Sequence, residues 1–124
     1  MSVSSSETGT YIVTIDNHIK KYENNTWKTI QGSATYIAVS PLDEIFIISD
    51  NNTRYYGYSI EYKLPGSDEF TTIANTPGIM PMKLALDMMN YPWIIDMTYQ
   101  VYSYSGTEWI KQDANAIDIA FSSN

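Results

Sequence analysis

Short apolar alternations separated by polar turns run along the chain, and they come in sets that repeat. Ile19-Lys-Lys-Tyr22 is followed by the turn Glu-Asn-Asn-Thr and then by Trp27-Lys-Thr-Ile30. Ile60-Glu-Tyr62 is followed by a loop and Phe70-Thr-Thr-Ile73, and Val101-Tyr-Ser-Tyr104 by Ser-Gly-Thr-Glu and Trp109-Ile110. Each set predicts a strand ending in tyrosine, a turn, and a strand opened by a large aromatic side chain. Trp27, Phe70 and Trp109 stand 43 and 39 residues apart.

The segments after these aromatics repeat too. Tyr36-Ile-Ala-Val39, Lys83-Leu-Ala-Leu86 and Ala116-Ile-Asp-Ile119 alternate, and Ile45-Phe-Ile-Ile48 and Trp93-Ile-Ile95 follow the first two, each before an aspartate, Asp50 or Asp96. The matching strand of the third set stands at the other end of the chain, at Tyr11-Ile-Val-Thr-Ile-Asp16. The pattern predicts one all-β domain, 1–124, of three four-stranded units at about 17–59, 60–100 and 101–124, the last completed by 1–16. A period of ~40 residues with four strands per unit is that of propeller blades. A β-trefoil also has three units of four strands and is the alternative, but a first strand that completes the last unit is how propellers close. Met82 to Met89 has helix-favouring composition. It is only about two turns long, is bracketed by Pro81 and Pro92, and aligns with strands elsewhere, so it is expected as a strand.

The units resemble the tectonin repeat. The first carries the resemblance best, with Tyr22, Trp27, Ile30, Gly32-Ser33-Ala34, Ile37, Val39, Ile45 to Ile48 and Asp50-Asn51. The third keeps Trp109 and Ile117-Asp-Ile119 without the glycine. The second departs most, with Phe70 for the tryptophan, Pro77-Gly78 for the Gly-Ser-Ala turn and Tyr91-Pro92 for a glycine turn. The resemblance implies a β-propeller. It also implies the roles known in that family: lectins, host-defence and surface-recognition proteins, and interaction domains of membrane-trafficking proteins.

Composition narrows the partners. The formal net charge is −7, Arg54 is the only arginine, and the six lysines are scattered apart from Lys20-Lys21. Phosphate backbones and acidic membranes need clustered cations, so neither nucleic acid nor an anionic membrane surface is expected. The absence of cysteine removes disulfides, thiolate metal sites and thiol nucleophiles. Residues 1–10 lack a basic start and an apolar run, so no signal peptide is expected, nor any membrane span. A cytoplasmic or non-classically exported protein would fit. The sequons at Asn24 and Asn51 are expected as chance matches in a chain rich in Asn and Thr.

Candidate binding residues come from the turns and the aromatics. Trp27, Phe70 and Trp109 are expected to fill gaps between units. Trp93, opened by Tyr91-Pro92, is a candidate for stacking on a ligand, together with Tyr91. Asp16, Asn17, Asp50, Asn51, Asn52 and Asp96 recur after apolar strands, as turn-forming residues or as ligand contacts, one set per unit. Arg54, Tyr55, Tyr56 and Tyr58 have the composition of an interface. His18 is the only histidine and is expected at the surface. No nucleophile motif, zinc motif or phosphate loop is present, and paired acids such as Asp43-Glu44 and Asp68-Glu69 fit exposed turns. No enzyme activity, metal or cofactor is expected.

The expected function is binding without turnover, lectin-like recognition of surface glycans, with an assembly subunit as the alternative. Three blades leave too wide a wedge to close. The expected form is therefore a homodimer closing a six-bladed ring, with a filament if closure fails. Its contact would pair Tyr11 to Asp16 of one copy with Ala116 to Phe121 of the other.

Overall fold

A computed structural model describes residues 2–50, 59–73 and 80–121 of the chain. Asn51, Asn52, Arg54, Tyr55, Tyr56 and Tyr58, and the Pro77-Gly78 turn, lie outside the described residues.

All regular structure among the described residues is β. The strands are β1 (Ser2–Ser5), β2 (Thr10–Val13), β3 (His18–Glu23), β4 (Thr26–Val39), β5 (Ile45–Ser49) and β6 (Ile60–Lys63). They continue with β7 (Thr71–Thr72), β8 (Pro81–Leu86), β9 (Pro92–Asp96), β10 (Gln100–Tyr104) and β11 (Trp109–Asn115). Every pairing is antiparallel between chain neighbours, giving sheets in the orders β1-β2-β3-β4-β5-β6-β7 and β11-β10-β9-β8. Of the Met82 to Met89 stretch, Met82 to Leu86 lie in β8, whereas Asp87 to Met89 belong to the turn before β9. No helix of the described residues is long and apolar enough to cross a membrane.

Turn chemistry sets the reversals. Asn24 and Asn25 both hold positive φ, 52° and 61°, the pairing a two-residue hairpin turn needs between β3 and β4. Asn17, Asp43, Asn90 and Tyr99 take the left-handed position of the other tight turns. Gly32, at φ 132°, sits where β4 breaks register against β3 and crosses to its second partner. A Cβ there would stand 3.2 Å from the Phe70 ring.

The long β4 is shared. Its first half pairs with β3 and its second half, from Ala34, with β5. The strands therefore fall into three hydrogen-bonded quartets: β1 to the first half of β4, the second half of β4 to β7, and β8 to β11. This phase differs from the units read off the sequence, because β1, with only Val3 apolar, carries no pattern to be seen. β2 is paired on both edges within the chain, to β1 and to β3. It therefore has no free edge with which to complete a second copy's unit, which corrects the strand exchange expected for Tyr11 to Asp16. Ala116 to Phe121, its expected partner, forms no strand here.

Two apolar clusters lie between the quartets. Tyr11, Val13 and Ile19 of the first quartet meet Ile37, Val39, Ile45 and Ile47 of the second. Phe46, Ile48 and Ile60, on the other face of the second quartet, meet Leu84 and Ile94 of the third, with Tyr102, Tyr104 and Trp109 packed alongside. Alternation explains the split: Ile45 and Ile47 point to one cluster, Phe46 and Ile48 to the other. Buried on both faces, β5 is apolar at four consecutive positions. Across the first junction the Ser4 hydroxyl accepts from Val39 N–H at 3.0 Å, and Ser2 sits within 3.3 Å of both Ile37 backbone groups. The serines of β1 thus satisfy the free backbone edge of β4.

The residues after β11 follow the path that β4 takes after the first quartet. Ala116 N–H donates to Tyr99 O at 3.0 Å, as Ala34 N–H does to Asn17 O at 3.0 Å. Phe121 then packs edge-on against Trp93, ring centroids 5.4 Å apart.

Candidate functional site

Equivalent positions can be read from the pairings. Val13 pairs with Ile19, Ile48 with Ile60 and Ile95 with Val101 at the same point of each quartet. Two residues earlier on the same face, Tyr11, Phe46 and Trp93 are therefore equivalent, and so are their partners Lys21, Tyr62 and Ser103. The turns that open β5 and β9 match as well. Asp43 N–H donates to Ser40 O and Asn90 N–H to Asp87 O, each from a left-handed residue.

The first junction is closed at this end by a polar clasp. The Asp43 carboxylate accepts from Ser6 Oγ at 2.5 Å, Thr8 Oγ1 at 2.7 Å and Tyr11 Oη at 2.7 Å. Lys21 Nζ lies 3.7 Å from Asp43, pairs with Glu23 at 2.9 Å and sits 5.2 Å from the Tyr11 ring centroid. Burial pushes the Tyr11 phenol up to about 12, helped by Asp43. Burial alone would raise the Asp43 carboxyl, but the three hydroxyl donors and Lys21 together hold it below the usual range.

The second junction lacks three members of that clasp. Phe46 replaces Tyr11, Tyr62 replaces Lys21 and Asn90 replaces Asp43. What remains is a cleft of about 490 Å³ whose wall includes Glu44, Phe46, Tyr62, Asn90, Tyr91 and Tyr104. Phe46 and Tyr62 stack at 5.9 Å on one side. On the other, Tyr104 leans on Trp109 at 5.0 Å. The Trp109 indole N–H, one ring behind the cleft, is buried and has no acceptor among the described residues. Gly106 leaves room for the Tyr91 ring, which a Cβ would approach to 3.4 Å.

Tyr62 is the residue the sequence pattern misplaces. The three strand-ending tyrosines look equivalent, yet Tyr22 and Tyr104 pair with Trp27 and Trp109, while Tyr62 pairs with Phe46 and Thr71. A one-residue difference turns Tyr62 to the opposite face of its sheet. It therefore looks across the cleft at Tyr104 instead of sharing its direction. The recurrence of tyrosine at these strand ends was the available signal for the cleft; the facing was not.

The candidate ligand residues from the sequence do not gather. Tyr91 lines the cleft, but Trp93 lies on the face of β9 turned away from it, its Nε1–H donating to Asp87 at 3.0 Å. Asp16, Asp50 and Asp96 are not equivalent, because Asp96 caps its strand where the first quartet has Thr14. Asp96 is buried and accepts from Thr98 N–H, Thr98 Oγ1 and Gln100 N–H at 2.8–3.0 Å. Asp50 accepts from Ser33 Oγ at 3.1 Å, and Asn17 O accepts from Ala34 N–H. Asp16 is exposed, 3.7 Å from His18, which is also exposed. Among the described residues no three His, Cys, Asp or Glu side chains gather as a metal site. Of the repeated aromatics, Phe70 and Trp109 pack against the two clusters as expected, whereas Trp27 is 51% exposed.

No protein-family model matches the chain, and no curated protein sequence matches it. Among solved structures it is similar to YCF48 bound to D1 peptide, a β-propeller protein, with TM-score 0.69 and 11% identity. The match covers 90% of this chain and 39% of that one, so the chain spans about two fifths of the length of its structural neighbour. At that identity the likeness establishes the fold as β-propeller-like and nothing more.

Proposed function

We propose that the chain is a non-enzymatic binding module in which each quartet is one blade of a tectonin-like propeller. Its ligand is a glycan held in the cleft between the second and third quartets. The side-by-side stacking of quartets, with apolar clusters between their faces, supports blades over a trefoil. One observation carries the ligand reading: Phe46, Tyr62, Tyr91 and Tyr104 surround about 490 Å³ of open space beside Glu44 and Asn90. Aromatic faces stack on sugar rings, while phenol, amide and carboxylate groups bond hydroxyls. Among the described residues of that lining Glu44 is the only carboxylate. Glycosidic hydrolysis ordinarily needs two, which supports binding without turnover.

A glycan array followed by calorimetric titration tests this reading. Binding that falls on Tyr62→Ala and Tyr104→Ala supports it. A blank array with folded protein removes the glycan. The structural neighbour holds a peptide, so a peptide array read in parallel is the arm for the second occupant. Binding there, again lost with Tyr62→Ala, would keep the cleft and change the ligand.

A further inference from the structure

Among the described residues that line the cleft between the second and third quartets there is one charged group, Glu44, and no lysine, arginine or histidine. Glu44 is half-buried, and its carboxylate has no hydrogen-bond or ion-pair partner among the described residues. Only its backbone is engaged: Glu44 N–H donates to Ser40 Oγ at 3.0 Å, and Glu44 O accepts from Ser40 N–H at 2.9 Å. A carboxylate partly withdrawn from water and left unpaired beside aromatic rings gains by receiving a cation.

The first junction shows what such a wall accepts. Lys21, equivalent to Tyr62, holds its ammonium 5.2 Å from the centroid of the Tyr11 ring, equivalent to Phe46. Glu23 at 2.9 Å and Asp43 at 3.7 Å neutralise it. At the second junction the places of Lys21, Glu23 and Asp43 are taken by Tyr62, Leu64 and Asn90. The built-in cation and both its carboxylates are gone. The ring stays, as Phe46, and Tyr62, Tyr91 and Tyr104 join it. The negative faces of such rings attract an ammonium, more strongly where water is excluded. Glu44 supplies one carboxylate from a new position, the turn before β5.

We propose that the cleft is built for an organic cation, and that the glycan it takes carries an amino sugar with a free ammonium group. The inference rests on the glycan reading of the cleft and names its ligand class. The ammonium sits among the aromatic rings and pairs with Glu44, while sugar hydroxyls bond the tyrosine phenols and Asn90. The formal net charge of −7 draws a cationic saccharide towards the protein without choosing the site.

Calorimetric titration tests it with short β-linked oligomers of glucosamine, N-acetylglucosamine and glucose, at about pH 6, where a sugar amine is mostly protonated. The glucosamine oligomer should bind at least ~tenfold more tightly than either neutral one, and should weaken as salt rises. Glu44→Gln should remove that advantage. Asp113→Asn, at an exposed acid outside the cleft wall, should not. Leu64→Glu, which restores a carboxylate where the first quartet has Glu23, should tighten the glucosamine oligomer alone, by ~threefold. Circular dichroism and melting temperature verify that each variant is folded. Equal affinity for charged and neutral oligomers overturns the inference while the glycan reading stands. So does a preference for the charged oligomer that Glu44→Gln leaves intact. Binding of none of the three overturns it as well, and the glycan reading falls with it if the glycan array is also blank.

Discussion

Tyr11 Oη donates a 2.7 Å hydrogen bond to Asp43 Oδ1, tying a core tyrosine of the first quartet to the turn that opens β5 in the second. The bond bridges 32 residues of sequence and closes the end of a junction whose counterpart is open. Hydrogen bonds to a charged acceptor contribute about 1.5–3 kcal/mol each when well formed, less where solvent competes. Asp43→Ala is therefore expected to destabilise the fold by about 2 kcal/mol in urea unfolding, and Tyr11→Phe by about 1 kcal/mol. Equal stability of Asp43→Ala and the parent would show that the clasp is incidental.

The clasp also sets the pH limits of stability. The Asp43 carboxyl is held below its unfolded value, so its contribution is complete above about pH 4 and lost as pH falls through the folded value. Tyr11 is raised to about 12 from 10.0, so its contribution is complete below about pH 10 and lost as pH rises through about 12. Tyr36 and Tyr102, raised by burial and then by Asp118 and Asp96 respectively, act in the same direction. Melting temperature against pH should show both limbs. Asp43→Asn should flatten the acid limb and Tyr11→Phe should reduce, without abolishing, the alkaline one.

β5 holds the two junctions together. Ile47 and Ile48, at 1% and 0% exposure, point into different clusters. Truncation of either to alanine should cost about 2–4 kcal/mol through lost burial and a cavity. Ile12→Ala, on the outward face of the first quartet, should cost less than about 1 kcal/mol. Comparable losses at all three positions would contradict this distribution of the core.

Gly9 admits no side chain for a different reason. A Cβ there would overlap the carbonyl oxygen of Tyr22, a backbone atom that cannot swing aside. Gly9→Ala is expected to destabilise by about 1–3 kcal/mol by shifting the turn between β1 and β2, which carries Ser6 and Thr8 to Asp43. A neutral effect in thermal unfolding would show that the turn yields freely.

Asp96 separates a turn role from a ligand role. Its carboxylate is committed to Thr98 and Gln100. Asp96→Ala should lower stability by about 1–2 kcal/mol and leave the proposed glycan binding in the cleft unchanged within about twofold. A selective loss of binding with stability intact would return Asp96 to the ligand site.

The sequence by itself determined that the chain is built of short antiparallel strands in a repeat of ~40 residues, because strand alternation and turn residues are local and recur. It also marked Trp27, Phe70 and Trp109 as a repeated aromatic position. It could not set the phase of the repeat, since a period has no beginning and β1 is nearly all serine. It could not say which face of a strand a tyrosine occupies when one residue is gained or lost, which is why Tyr62 and Tyr104 meet only in three dimensions. Nor could it tell that Trp27 is uncovered while its equivalents are packed, because burial belongs to the neighbouring sheet. Those neighbours, and the loss of Tyr11, Lys21 and Asp43 equivalents at the second junction, are relationships between residues far apart in the chain. The tertiary structure alone brings them together, because which residues face one another across two sheets is not written in the local pattern of either strand.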